Sequence, residues 1–518
     1  MNASTVDKTL VVLPNNLGDV IMATPLLEGL RKNHAPGFIA YLVEEGFEAG
    51  LINNPHVDTI ITFPRRHIRN LLNSANCQEG IQDLTSTLYG IDGLQFDTIV
   101  NLSQHPYVSY LVSAIYARNR MGQHFLLEGN HAVDDDWSQY LYAVPFARSC
   151  NDLHATDVYR RIAGACEHCG RGTIVLSKDE LQDAGRLLAE CGVRSEATKL
   201  MLFQPGAAMA SKRWGVDSFV ALGRRLTNVG WTIGVMGAPF EKEEAGAIVN
   251  GIEQSAFLLA GHTSFRQAIG ITAHAGGLVT GDTALMHAAA ALQTPLYALF
   301  GSTSPVETGP YASGCWVFSA RCKKRPCFRE SCDAMSCMKS IAADDVFHCI
   351  HHQAPPSGAR CDIFRTVLEP NGDYSLIPVA GAEQYYVNTA DAVILRSAFE
   401  EHVQVAHLID ELDLQQTCRN GGQLLEKLHA MIDLLQQFTE SKDRSHITNF
   451  EHMKGSLETL EGIGAFWKAV LNIRLNSITL CDPLRAITAS LQVCRRTARQ
   501  IEQAIAPHTA SIESSITE

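Results

Sequence analysis

The sequence predicts two consecutive α/β domains on parallel sheets, followed by a mostly helical region. Three observations carry that expectation. Short β-branched, apolar runs alternate with amphipathic helical stretches over the first 350 residues or so. The alternation restarts near residue 199 with a strand entering a glycine turn. After about residue 385 the strand signals stop and helical periodicity takes over.

In the first region KTLVVLP (8–14) is a strand bounded by Asn15-Asn16, and FIAYLV (38–43), TIITF (59–63) and FDTIVNL (96–102) follow it. Helical segments between them imply parallel strands with crossover helices. Pro25 would clash with the carbonyl of Ile21 in a regular helix, so the helix is expected to restart near Pro25 and to leave 15–24 as a shaped turn. In the second region KLMLFQPGA (199–207), WTIGVMG (231–237) and SAFLLAG (255–261) are strands. The stretch 217–230 places Phe219, Leu222 and Leu226 on one helical face, and 265–276 is another helix. LVTGDTALMHAAAALQTPLYALFG (278–301) reads as strand, turn, Ala-rich helix and strand. PPSG (355–358) is a linker signal, and 361–379 is a hairpin around Asn371-Gly372. From Leu484 a heptad runs through Ile487, Leu491, Cys494, Ala498, Ile501 and Ile505, the seam of a packed helix or short coiled coil.

Composition narrows the function classes. The 518-residue chain is 46% hydrophobic and 19% charged, with a net charge of −13. That balance fits a globular protein and argues against a nucleic-acid binder, which needs a basic face. No charge falls between Asp282 and Glu307, but His287, Gln293, Pro295 and Gly301 interrupt the run, which reads as helix then strand rather than a membrane span. MNASTVDKTLVVLP lacks the features of a signal peptide, so a cytoplasmic protein is expected. Fifteen cysteines in that setting suggest reduced thiols or metal ligands.

Three turns carry candidate chemistry. At Gly281-Asp282-Thr283 a strand feeds a helix whose first N–H groups lack partners, and whose dipole adds roughly half a positive charge there, a ready phosphate site. Thr283 either caps the helix or donates to an anion, and His287 lies one turn deeper on the same face, as a ligand contact or as a satisfied core histidine. PGAAMASKRWG (205–215) brings Lys212 to the carboxyl edge of the same sheet, suiting a diphosphate. Gly18-Asp19 follow the first strand of the other domain; Asp19 is either an N-cap or a carboxylate facing a cleft. Together these residues describe sugar transfer from a nucleotide donor: Lys212 and the 282–285 turn stabilise the departing diphosphate, and Asp19 deprotonates the acceptor hydroxyl. No Asp-x-Asp follows one of the strands named above, so no catalytic divalent metal is expected. A dehydrogenase is disfavoured by the lack of G-x-G-x-x-G after the first strand.

Residues 15–31 (NNLGDVIMATPLLEGLR), 43–47, 54–61, 205–214, 259–264 and 281–311 resemble glycosyltransferase family 9, the ADP-heptose:lipopolysaccharide heptosyltransferases. The resemblance spans residues 8 to 350. It implies a GT-B fold of two Rossmann-like domains and inverting, metal-independent transfer from a nucleotide-sugar donor, ADP-heptose first among the candidates. It implies a catalytic base at Asp19, a phosphate-binding lysine at Lys212 and a nucleotide-sugar motif at Asp282, Thr283, Ala284, Leu285 and His287. A ribose-binding glutamate would fall at Glu243 or Glu244. Ala284 stands where the family has glycine, and Ala208 replaces a hydroxyl in the phosphate turn. A related subgroup, the autotransporter heptosyltransferases, modifies protein hydroxyls, so the acceptor is a lipopolysaccharide-type saccharide or a protein.

Cys322, Cys327, Cys332 and Cys337 are spaced every five residues, a set that suits structural zinc or iron or forms a metal-free thiol-rich loop. CEHC (166–169) supplies only two thiols and is taken as an interdomain loop. Arg321, Lys323, Lys324, Arg325 and Arg329 form a basic patch that either meets an anionic acceptor or the inner face of a membrane or is simply solvated. The expected division is 1–185, an acceptor domain; 186–354, the nucleotide-sugar domain; and 355–518, a hairpin plus helical bundle for oligomerisation or acceptor docking. The competing function is a binding or assembly protein that kept the fold and works through that extension.

Overall fold

The structure is a computed structural model that describes residues 7–33, 37–127, 129, 131–133, 135–165, 170–193, 199–322, 325–328, 337–381, 399, 422–423, 425–434, 436–437, 463–476 and 490–505. Its strands are β1 (Lys8–Val12), β2 (Phe38–Glu44), β3 (Thr59–Phe63), β4 (Thr98–Asn101), β5 (Asn119–Phe125), β6 (His131–Val133), β7 (Lys199–Gln204), β8 (Trp231–Val235), β9 (Ala256–Leu258), β10 (Gly277–Gly281), β11 (Leu296–Phe300), β12 (Trp316–Ser319), β13 (Asp362–Leu368) and β14 (Tyr374–Ala380). The helices that bear on function are α1 (Leu17–Met22), α2 (Thr24–Asn33), α3 (Ala155–Ile162), α4 (Val216–Asn228), α5 (Lys242–Ile252), α6 (Ala284–Leu292) and α7 (Ile463–Asn476). The chain packs as two compact units, Met1–Asp83 with Leu153–Tyr386, and Leu84–Asp152 with Val387–Glu518.

In the first unit β1 pairs in parallel with β2, and β2 with β3. Leu10, Val11 and Val12 are fully buried, as expected of a strand covered on both faces. The chain then departs from the shaped turn expected over 15–24. Residues 17–22 wind into the short helix α1, which ends as the Ala23 N–H closes on the Asp19 carbonyl at 3.0 Å. Pro25 is accommodated by a restart at Thr24, which places it in the first turn of α2 where its missing N–H costs nothing.

The same unit holds an eight-stranded sheet in the order β14-β13-β12-β11-β10-β7-β8-β9. Its strands β7 to β12 are parallel, and β13 and β14 add antiparallel. The hairpin expected around Asn371-Gly372 thus extends this sheet, with Trp316 opposite Arg365 and the guanidinium 4.5 Å from the indole centroid. Apolar residues of α4 and α5, including Phe219, Leu222 and Ile248, cover one side. Met286 and Ala288 of α6, with Ile269 and Ile271, belong to the other core cluster.

A buried polar network fixes α3 against the β13–β14 turn. Arg160 donates to the Tyr311 hydroxyl at 2.9 Å and to the carbonyls of Gly372 (2.8 Å) and Asn371 (3.1 Å). Asp157, fully buried, accepts from the Tyr311 hydroxyl at 2.6 Å and the Tyr374 N–H at 3.0 Å, 3.3 Å from Arg160. Arg161 grips Asp373 through two bonds of 3.0 and 2.9 Å. Burial, then the charge of Asp373, push Asp157 up to about 6, against the hydrogen bonds it accepts and Arg160.

In the second unit β4 and β5 are parallel and β6 is antiparallel to β5. Phe466 and Trp467 of α7 are fully buried. Arg474 donates to Gln139 at 2.6 Å and Thr497 at 2.9 Å, and Asp136 pairs with Arg474 (3.2 Å) and Arg496 (2.7 Å). Residues 490–505 are helical, and the heptad positions Leu491, Cys494, Ala498, Ile501 and Ile505 are buried. Leu484 and Ile487 lie outside the described residues. Among the described residues no helix is long and apolar enough to cross a membrane.

Removing the cation from a buried pair leaves an uncompensated carboxylate, which typically costs about 3–5 kcal/mol. Arg160→Ala is therefore expected to lose about that much stability in urea unfolding at pH 8, where Asp157 is ionised. A loss below about 1 kcal/mol would show that the network does not hold α3 to the hairpin.

Candidate active site

The site is built where β7 and β10 end. Strand β10 is buried along its length and stops at Gly281. A Cβ on Gly281 would stand 3.0 Å from the Lys212 carbonyl, so the two turns touch where only glycine fits easily. Thr283 is extended (φ −140°, ψ 164°) and caps α6, its hydroxyl accepting from the Met286 N–H at 3.4 Å. The Thr280 hydroxyl lies 3.0 Å from that of Thr283. The cap thus contributes local structure, while the first N–H groups of α6, at Ala284 and Leu285, are those that lack acceptors within the helix.

Asp282 is the charged centre. Its side chain is only 7% exposed, and Lys212 Nζ donates to Oδ2 at 2.9 Å. The Thr308 hydroxyl donates to the same oxygen at 3.2 Å, and His287 Nε2 lies 3.8 Å from Oδ1. Burial alone would raise the carboxyl of Asp282; Lys212 and His287 outweigh it and hold it below its ordinary value. Burial pushes His287 down to about 4, with Lys212 adding to the effect and Asp282 opposing it, so the ring is neutral at pH 7. Its Nδ1 is buried without a hydrogen-bond partner among the described residues.

Asp19 sits in the first turn of α1, partly buried. Burial raises its carboxyl, partly offset by a hydrogen bond from Asn16, and the charges of Asp282 and Glu307 raise it further while Lys212 lowers it. Asp19, Lys212 and Asp282 thus share one electrostatic environment. The geometry agrees: a Cβ on Gly18 would stand 3.2 Å from Cδ2 of His287 and 3.6 Å from the Ala284 Cα. The start of α1 and the start of α6 therefore meet face to face. A side chain at position 18 would crowd the His287 ring.

The remaining expected residues fall elsewhere. Leu285 is buried in the core beneath α6. Glu243 is exposed on the first turn of α5, and Glu244 pairs with Arg213 at 3.4 Å. The carboxylate that reaches the 205–215 turn is that of Glu241. It is buried, accepts from the Ala238 N–H at 2.8 Å, and occupies the space a Cβ on Gly206 would need. Sequence reasoning passed over Glu241, although its place three residues after Ala238, just beyond a strand, marks a cap-forming acid. Among the cysteines, burial raises the thiol of Cys337, partly offset by a backbone hydrogen bond from Met338 and the charge of Arg325. Among the described residues, however, no group of three or more His, Cys, Asp or Glu is arranged to hold a metal ion. Cys332, Lys323, Lys324, Arg329 and CEHC (166–169) lie outside the described residues.

His154 was also missed. Its Nδ1 accepts from the Thr156 N–H at 3.1 Å, capping α3, and its Nε2 donates to the Gly309 carbonyl at 2.9 Å. Burial pushes it down to about 3. Because its folded pKa lies below the ordinary 6.5, it stabilises the fold fully above pH 6.5 and progressively less as pH falls toward 3. One such proton changes stability by about 1.4 kcal/mol per pH unit. Asparagine keeps the cap acceptor but cannot titrate. Between pH 6 and 5, stability of His154→Asn should fall less steeply than that of the parent by about 1.4 kcal/mol per pH unit. Parallel slopes in chemical denaturation would contradict the neutral, buried assignment.

Residues 90–338 match glycosyltransferase family 9 (heptosyltransferase). The chain is 23% identical over 356 residues to lipopolysaccharide heptosyltransferase 3 of Escherichia coli K12, covering 67% of this chain and 97% of that one. A crystal structure of a family 9 glycosyltransferase from Veillonella parvula superposes with a TM-score of 0.57 at 22% identity, over 68% of this chain and 98% of that one. The structure of E. coli ADP-heptose lps heptosyltransferase II does so at 0.52 and 19%, over 67% and 98%. The fold is thus GT-B-like, with a helical C-terminal region, and the protein is a glycosyltransferase enzyme. Over residues 90–338 it is similar to glycosyltransferase family 9 heptosyltransferases, and its C-terminal extension lies beyond the matched domain.

Proposed function

We propose that the enzyme transfers heptose from ADP-heptose to a hydroxyl of a lipopolysaccharide-type saccharide, with inversion and without a catalytic metal. The observation that carries this reading is the meeting of α1 and α6, which sets Asp19 beside Lys212, Asp282 and His287 within one compact unit. Asp19 takes the proton from the acceptor hydroxyl. The freed oxygen attacks the anomeric carbon from the face opposite the diphosphate, the bond to the diphosphate breaks, and ADP leaves. Lys212 and the N–H groups of Ala284 and Leu285 receive the charge that builds on the departing phosphate. We assign the ribose contact to Glu241 rather than Glu243, because the Glu241 carboxylate lies against Gly206.

The names of the relatives support heptose and a lipopolysaccharide acceptor over a protein one. We assign acceptor binding to 1–185, nucleotide binding to 186–354 and assembly or acceptor docking to the extension beyond 355. We place the enzyme in the cytoplasm.

A positioned base contributes roughly 10²–10⁴ in rate. Asp19→Asn keeps the size of the side chain and removes its capacity to take a proton, so turnover should fall by about that factor while donor affinity barely moves. Steady-state kinetics with ADP-heptose and a heptose-deficient acceptor saccharide give the answer. Turnover within a few-fold of the parent, in a folded variant, would strip Asp19 of the role.

A further inference from the structure

Asn16 occupies the N-cap of α1 in extended conformation (φ −141°, ψ 137°). Asparagine is common there because its side-chain oxygen accepts an N–H from the first turn. Asn16 makes no such bond. Its amide Nδ2 instead donates to Asp19 Oδ2 at 2.8 Å. Among the described residues that is the one hydrogen bond Asp19's carboxylate makes, so Oδ1 is left open. The chain has set aside the usual work of a cap residue to hold one oxygen of one carboxylate.

We propose that Asn16 is the positioning residue for the base, an inference that rests on the reading of Asp19 above. By engaging Oδ2 it fixes the torsion of the Asp19 side chain and presents Oδ1 as the proton acceptor. Asp19 needs such a partner because its neighbours work against it. Two carboxylates, Asp282 and Glu307, act on it unfavourably, and burial disfavours its ionised form. Lys212 is committed to Asp282 at 2.9 Å. A neutral donor of two N–H groups can hold an ionised carboxylate without adding a charge that would weaken its basicity. The backbone of α1 does not depend on the contact, since the Val20 N–H bonds the Asn16 carbonyl at 3.0 Å whatever the side chain does.

The test is Asn16→Asp, which keeps shape and helix-capping capacity and replaces the donor by an anion. Loss of the donor and gain of a like charge both raise the pKa of Asp19, so the acid limb of the pH profile of kcat should move up by about one pH unit or more. Turnover on the plateau should fall about ten-fold or more, with the KM for donor within about two-fold and thermal stability kept. Asn16→Ser, with a shorter hydroxyl donor at an equally good cap position, should recover part of both the limb and the plateau. If Asn16→Asp keeps the parental limb and plateau while Asp19→Asn is inactive, the positioning role is wrong and the base stands. If Asn16→Asp and Asn16→Ser lose activity equally with the limb unmoved, the residue serves only the local structure. If Asp19→Asn itself keeps parental turnover, the base assignment and this inference fall together.

Discussion

A carboxylate buried at the end of a strand must find a cation, and the site of this enzyme is arranged around how Asp282 finds one. Its partner, Lys212, arrives from the turn after a different strand, β7, so the 2.9 Å pair ties together two turns that are 70 residues apart in sequence. Isolated, a carboxylate would be strongly disfavoured at that depth; paired with Lys212, Asp282 is held below its ordinary value. The close approach of the two turns follows, with Gly281 at a point where a side chain would crowd the Lys212 backbone. The first N–H groups of α6 then open beside the lysine. On the proposed reading, a diphosphate entering there meets both and competes with Asp282 for the ammonium.

The same economy of charge governs the rest of the site. His287, which could add a second positive charge, is kept neutral by burial, so Lys212 is the cation that faces Asp282. Asp19 and Asp282 are set apart by their surroundings. Asp282 is held ionised by Lys212, whereas Asp19, with burial against it and only a neutral amide in contact, is kept more basic. That difference suits one to a fixed electrostatic role and the other to proton transfer.

Much of this was readable in the sequence. The strands announce themselves through β-branched runs such as TLVV and LYALF bounded by Asn, Gly or Pro. Lys212 and Asp282 each follow such a strand, and parallel topology puts both turns at one sheet edge. The helix α1 was not legible, because Pro25 marks a break and nothing local says that the six residues before the break still coil. Glu241 and His154 were missed for a different reason: their partners, Gly206 and Gly309, are distant in sequence, and only the packed tertiary structure brings them close. The joining of the 362–380 hairpin to the large sheet is likewise a matter of which edge strand is available to pair, and β12 offers it.

The central claim is that Lys212 is the donor-phosphate ligand, paired with Asp282 only until nucleotide binds. Isothermal calorimetry of ADP binding to the parent and to Lys212→Ala tests it most directly. A charge-assisted hydrogen bond of this kind contributes about 1.5–3 kcal/mol, so ADP should bind the variant more weakly by roughly ten- to a hundred-fold or slightly more. Unchanged ADP affinity in a folded Lys212→Ala protein would contradict the account and leave the Lys212–Asp282 pair as a structural contact alone.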